Sequence, residues 1–209
     1  MSEPNLRDLR RNAPPAVSNL ADPTAAVALP VPDPMAGTVA GCQHGDRQSQ
    51  RRLYDHCHQR LYRLIVRMVG QQDAADLLQQ VFLQVFSKIG QFAGRARFET
   101  WIYRLAINEC LQFRRRTARA HCDMPADEPI DPAADHTKRT AQQELMERAL
   151  AQLTPELRAV FVLREIEGLA YREIAAALQI EQGTVGSRLN QARAQLRKRL
   201  IELGWDPTT

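Results

Sequence analysis

A chain of 209 residues, 44% hydrophobic and 6% aromatic, can hold one large domain or two small ones. Its net charge of +4 is carried by far more Arg than Lys and is clustered, which suits bidentate contact with phosphate. No apolar run is long enough to span a membrane and the N-terminus lacks a signal peptide's apolar core. That speaks against membrane insertion and secretion, and a cytoplasmic chain is expected.

Residues 1–40 carry seven of the twelve prolines, in runs such as Ala13-Pro14-Pro15 and Leu29-Pro30-Val31-Pro32. Proline at that density blocks helices and interior strands, and no aromatic residue is present to seed a core. A disordered extension is expected there. The four cysteines, Cys42, Cys57, Cys110 and Cys122, lack CxxC spacing. His56-Cys57-His58 are neighbours on a helical pattern and point in different directions, so they cannot all face one ion; no metal or cofactor is expected.

Residues 41–116 read as a first helical domain. Leu53, Cys57, Leu61, Leu64, Ile65 and Met68 form one stripe that ends at Gly70, and Asp73 stands where a cap for the next helix belongs. That helix pairs its apolar positions, Leu77/Leu78, Val81/Phe82 and Val85/Phe86, leaving Asp76, Gln79, Gln80 and Leu83 around the edge. The loop Gly90-Gln91-Phe92-Ala93-Gly94-Arg95-Ala96-Arg97 leads to a third helix from about Phe98. Trp101, Ile102, Leu105 and Ala106 face inward on it, while Arg104, Asn108 and Arg115 share another face. Residues 117–139 are acidic and broken by proline, and read as a linker.

Residues 140–204 read as a second domain, followed by a short tail, 205–209. Leu145, Ala149 and Leu150 mark a lead-in helix, and Leu153, Leu157, Val160, Phe161 and Ile166 the next. Tyr171, Ile174, Ala175 and Leu178 mark a short third helix. Val185, Leu189, Ala192, Leu196 and Leu200 mark a longer fourth one. The last two are joined only by Gln179-Ile180-Glu181, and from Thr184 to Leu200 five basic residues meet no acid. A short turn followed by a basic helix is the pattern of a helix-turn-helix whose second helix enters a major groove. The fold expected is all-α, two small helical domains on a flexible linker. No nucleophile–base pair or phosphate-cradling glycine loop is visible, so no enzymatic activity is expected.

These stretches resemble regions 2 and 4 of the bacterial RNA polymerase sigma factors of the extracytoplasmic-function (ECF) group. Asp73-Ala74-Ala75-Asp76-Leu77-Leu78-Gln79-Gln80-Val81-Phe82 is similar to the helix that grips the polymerase β′ coiled coil. Phe98-Glu99-Thr100-Trp101-Ile102-Tyr103-Arg104-Leu105-Ala106-Ile107-Asn108 is similar to the helix that melts and reads the −10 element. The residues from Thr154 to Leu200 resemble region 4.

The resemblance implies polymerase contact through Asp76, Leu77, Gln79, Gln80 and Leu83. It implies −10 contact through Arg95, Arg97, Phe98, Thr100, Trp101, Arg104, Asn108 and Arg115, with a base flipped into the loop from Gly94 to Phe98. It implies −35 contact through Thr184, Gly186, Ser187, Arg188, Asn190, Gln191 and Arg193. The partners implied are core RNA polymerase (β′ coiled coil and β flap), promoter DNA and an anti-sigma factor. Five positions depart from the family pattern: Gln80 for Glu, Ile107 for Arg, Ala170 for a Ser or Thr cap, Gln179 for a turn glycine, and Gly186 for a cation. A helix-turn-helix activator carrying an N-terminal sensor or dimerisation domain is the alternative.

Overall fold

The computed structural model of the protein describes residues 34–94, 96–121 and 141–205, and every regular element among them is helical. The N-terminal half holds α1 (Ala36–Gln43), α2 (Arg47–Val69), α3 (Ala74–Lys88) and α4 (Phe98–His121), with a 3₁₀ turn, Ile89–Gln91, after α3. The C-terminal half holds α5 (Ala141–Ala151), α6 (Pro155–Phe161), α7 (Tyr171–Leu178) and α8 (Gln182–Glu202).

The helix starts are set in different ways. Asp46 caps α2, its carboxylate accepting from the Gln48 N–H at 3.3 Å and the Ser49 N–H at 2.9 Å. The Ser49 hydroxyl adds a third bond at 2.6 Å, and these bonds hold the Asp46 carboxyl below its ordinary range. Pro155 opens α6 at a position that has no intrahelical acceptor to lose. Asp73 stands at the cap position of α3, but its side chain makes no capping bond; Asp76 in the first turn is the acid beside the positive end of that helix.

The stripe read from Leu53 to Met68 is buried at every position, as are Val81, Phe82, Val85 and Ile89 of the next segment. Two boundaries differ from the sequence expectation. The segment 1–40, expected to be without structure, contains the start of α1; Met35 just before that helix and Val39 and Cys42 within it are in the core; residues 1–33 lie outside the described ones. Three apolar residues spaced four and three apart suffice for one short helix once α2 and the 3₁₀ turn supply the opposite wall. Helix α4 runs five residues past 116 into the expected linker, because 117–121 (Thr-Ala-Arg-Ala-His) contain no breaker before Pro125. The rest of that linker, residues 122–140, lies outside the described ones.

The segment expected as one helix from Leu153 to Ile166 is α6 continued by a π-helical turn, Val162–Ile166, in which the Glu167 N–H reaches back five residues to the Val162 carbonyl at 3.0 Å. Such turns interrupt helices where side chains must be re-aimed.

The two halves pack on one another. Helix α4 lies against α7 and α6, and α2 against α5 and α6. Arg158, 2% exposed, bridges them: its guanidinium donates to the Met68 carbonyl at the end of α2 (2.7 Å) and to the Leu153 carbonyl (3.1 Å). Burial, reinforced by the charge of Arg114, pulls its pKa down to about 10.

Candidate functional site

On α3 the full apolar stripe faces inward, so what remains is a narrow outer face. Asp76, Gln79 and Gln80 are exposed and Leu83 is the most exposed large apolar side chain described, at 58%. Leu77, counted with this face from the sequence, is 4% exposed and belongs to the core. The paired apolar positions explain the error: 77 and 78 cannot both point outward, and Leu78 is the half-buried one. At the preceding position, Phe82, α3 meets an aromatic pair on α2. Tyr54, 41% exposed, stacks on His58 at 5.2 Å and leans on Phe82 at 4.6 Å.

The loop before α4 starts and ends on rings. Phe92 meets Phe98 edge-on at 5.5 Å and Trp101 at 5.4 Å, and Phe98 meets Trp101 at 5.6 Å. Phe98 is fully buried and Trp101 half-buried, so Phe98 supports the loop instead of presenting a ring to a base. Ala93, Gly94, Ala96 and Arg97 are exposed, with Gly94 at φ 67°; Arg95 lies outside the described residues. Arg97 pairs with Glu99 at 3.2 Å. Arg104 and Asn108 are half-buried one turn apart, and Arg115 is exposed two turns on. Ile107, where the family carries Arg, is fully buried.

Thr100 stands apart from the other −10 candidates. It is 5% exposed, and its hydroxyl bonds the Glu173 carboxylate of α7 at 3.3 Å. Next to it, Glu167 (side chain 4% exposed) accepts from the Tyr103 hydroxyl at 2.5 Å and from Arg60 Nε at 2.9 Å. Burial, and then the Glu167 charge, push the Tyr103 phenol well above its usual range. Arg60 also reaches Glu99 at 3.5 Å and lies over the Tyr103 ring at 5.7 Å. Sequence reasoning passed over Arg60, Tyr103, Arg158 and Glu167. The available signal was a polar residue on an otherwise apolar stripe, at Arg158 and Tyr103.

In the C-terminal half, α7 and α8 meet across a left-handed Gln179, and Arg172, Gln179, Thr184 and Arg188 line an open concavity between them. Ser187, Asn190 and Gln191 are exposed along the outer side of α8, with Arg188 half-buried at the concavity. The Ser187 hydroxyl donates to the Thr184 carbonyl at 3.1 Å. Gly186 does not face outward: a Cβ there would sit 3.7 Å from the Tyr171 ring. Arg193 pairs with Glu165 of the π turn at 2.5 Å, across the inside of the motif, so its charge is already matched. Arg164 braces the same turn, donating to the Leu169 carbonyl at 2.8 Å and lying over Tyr171 at 5.2 Å. Ala170 has no side-chain oxygen with which to cap α7, and only the other half of a capping box is present, Glu173 accepting the Ala170 N–H at 2.8 Å. Cys42, Cys57 and Cys110 are each buried at separate places, and burial raises the Cys57 and Cys110 thiols to about 11 and about 12; Cys122 lies outside the described residues.

Residues 53–120 match the family Sigma-70 region 2, and residues 143–196 match Sigma-70, region 4. The chain is 34% identical over 158 residues to the ECF RNA polymerase sigma factor SigM of Mycobacterium tuberculosis, an overlap of 75% of this chain and 79% of that one. It is 38% identical over 152 residues to SigE of Mycolicibacterium smegmatis, covering 68% of this chain and 58% of SigE, less than two thirds of that relative's length. Among solved structures it is similar to the sigma factor RpoE in complex with the anti-sigma factor NepR from Bartonella quintana. That TM-score is 0.63 at 20% identity, over 74% of this chain and 98% of that one. It is also similar to CnrH in complex with the cytosolic domain of CnrY, with a TM-score of 0.60 at 22% identity, over 80% and 97%. At those identities the likeness is one of fold.

Proposed function

Since the chain belongs to the ECF RNA polymerase sigma factors, we propose that it joins core polymerase through the outer face of α3 and directs promoter opening with its other two surfaces. Asp76, Gln79, Gln80 and Leu83 supply the polymerase contact. An exposed leucine on a helix face shared with exposed polar groups is the kind of anchor that becomes a hot spot when a partner covers it. The loop 94–97, with Trp101, Arg104, Asn108 and Arg115 behind it, takes the −10 strand. The open concavity and outer side of α8, with Thr184, Ser187, Arg188, Asn190 and Gln191, take the −35 duplex, and Arg197 and Lys198 add phosphate contacts farther along.

One observation carries this reading: a region-2 match and a region-4 match lie in one chain, in that order, 22 residues apart. The sensor-bearing activator would place its sensor or dimerisation domain in the N-terminal half, where residues 53–120 match region 2 instead.

In the packed form Thr100 faces Glu173 instead of DNA, so the −10 role of α4 requires α7 to leave it. Promoter elements held apart on polymerase would draw the two halves apart. The protein acts as a transcription initiation factor without an enzymatic step of its own, in the cytoplasm, where polymerase is; no helix among the described residues is long and apolar enough to cross a membrane. An anti-sigma partner belongs to the same reading, motivated by the two fold neighbours, which are complexes with NepR and with the cytosolic domain of CnrY.

The test is transcription from genomic fragments by core polymerase with and without the full chain, with start sites mapped. New starts that share sequence near −10 and −35 are the expected result; no new starts despite complex formation would sink the proposal.

A further inference from the structure

We propose that Gln43, at the end of α1 and upstream of the region-2 match, is a positioning residue that fixes the root of the −10 loop. The inference rests on reading residues 94–98 as that loop. The Gln43 side-chain amide donates to the Ile89 carbonyl at 3.1 Å and to the Phe92 carbonyl at 3.0 Å. A primary amide has two N–H groups, so both donors are used by one side chain on two backbone acceptors. Those acceptors bracket the 3₁₀ turn Ile89–Gln91, which the Phe92 N–H closes with a 3.1 Å bond to the Ile89 carbonyl.

Phe92 is the last residue before the exposed loop, and it is held from two sides. Its carbonyl is held by α1, and its ring is held by Phe98 and Trp101 of α4. From Phe92 the chain turns extended and runs through Ala93, Gly94, Ala96 and Arg97 with little to support it. The direction in which the loop leaves is therefore set at Phe92. A pocket that reads a base tolerates displacements of a fraction of an ångström, and a strut at its root decides whether it is formed before DNA arrives.

The strut is itself rigidly founded. Met35, Val39 and Cys42 bury the inner side of α1. Gly41 lies so close to α2 that a Cβ there would be 2.2 Å from Ser49 Oγ, a contact no other residue could make. The Asp46 N–H returns to the Gly41 carbonyl at 3.0 Å while the Asp46 carboxylate caps α2. Position is thus carried from α2 through Gly41 and Gln43 to Phe92. A helix merely covering apolar surface would not need a side chain that reaches across to two carbonyls 46 and 49 residues away.

The experiment uses the full chain with core polymerase and a promoter library randomised over the −10 element, scored by open-complex formation. Gln43→Met keeps the length and removes both donors, and Gln43→Lys restores donors to the same carbonyls. Arg97→Ala is a control on the loop reading. Affinity for core polymerase and thermal midpoint are measured on each.

The expected result is that Gln43→Met narrows discrimination among −10 sequences about three- to tenfold, the scale of one or two lost hydrogen bonds. Core affinity should stay within error of the parent, and Gln43→Lys should recover most of the discrimination. Unchanged discrimination in Gln43→Met, with Arg97→Ala altered, would overturn the strut while leaving the loop reading in place. No change in either would overturn both. Loss of fold or core binding in Gln43→Met that lysine does not rescue would make the side chain a stability element and overturn the inference as well.

Discussion

Gln179 sits at φ 55°, ψ 46°, the one non-glycine residue with positive φ among those described. The left-handed region crowds a Cβ against the following carbonyl, at a cost of about 1 kcal/mol or slightly more. Gln179→Gly is therefore expected to stabilise the protein by about 0.5–1 kcal/mol after the glycine's extra unfolded-state entropy is counted, read as a rise in thermal midpoint. Gly186 is the opposite case. It is helical, and a Cβ would make only ordinary contact with the Tyr171 ring at 3.7 Å. Gly186→Ala should stabilise by about 0.5–1 kcal/mol, since nothing in the protein requires glycine there. Gly186→Lys should keep most of that gain and steepen the salt dependence of log K for −35 duplex by about 0.9, read by filter binding over a salt series. An unchanged slope would mean that the new ammonium does not reach phosphate. Both positions stood out in the sequence as departures from a pattern. What could not be read there was the direction of position 186, because the helix period alone does not say which side of α8 packs on Tyr171 of α7.

Helix α3 was legible almost to the residue, since its paired apolar positions leave few ways to lie on a core. Leu77 was misassigned because a surface was inferred from a motif where the period of the helix decides. Leu83→Asp is expected to abolish co-purification with core polymerase while leaving the circular dichroism of the chain unchanged, because a 58% exposed side chain contributes little to folding. Retained binding would return that face to solvent.

Helix α1 was not legible. Its eight residues contain three glycine or threonine positions and little amphipathic pattern, and it is stable only because α2 and the 3₁₀ turn already stand on either side. The π turn at Val162–Ile166 was passed over as well, although the five-residue step from Phe161 to Ile166, about 140° around an ordinary helix, was a sign of it.

At the scale of the whole molecule, the two domains and their order could be read in advance, but not their contact. It depends on Arg60, Tyr103, Arg158, Glu167 and Glu173, whose bonded partners lie up to 107 positions away and share no period. Burial of Cys57 and Cys110 adds a pH signature. Burial pushes their folded pKa values up to about 11 and about 12, above the ordinary thiol range. The folded state keeps both protons where the unfolded chain releases them, so this stabilisation is complete below pH 9 and declines as pH rises toward 11 and 12. Chemical denaturation at pH 8 and pH 10 should show a lower midpoint at pH 10, and Cys110→Ala should reduce that difference.

The hydroxyl of Tyr103, bonded to Glu167 across the seam, has a consequence for how strongly this protein answers to polymerase. A form that must be opened before it can work lowers every apparent affinity by the fraction that is open, and about 1.4 kcal/mol of seam energy divides that fraction by ten. Tyr103→Phe keeps the ring in place and removes one hydrogen bond to a carboxylate, worth about 1.5–3 kcal/mol. The variant should therefore be less stable on its own and yet occupy polymerase at roughly tenfold or more lower concentration. A titration of core polymerase reads this directly, and equal or weaker occupancy would mean that the seam is no brake. The same arithmetic makes any ligand that grips the closed pair a repressor and any that grips the parted one an activator, without either touching DNA.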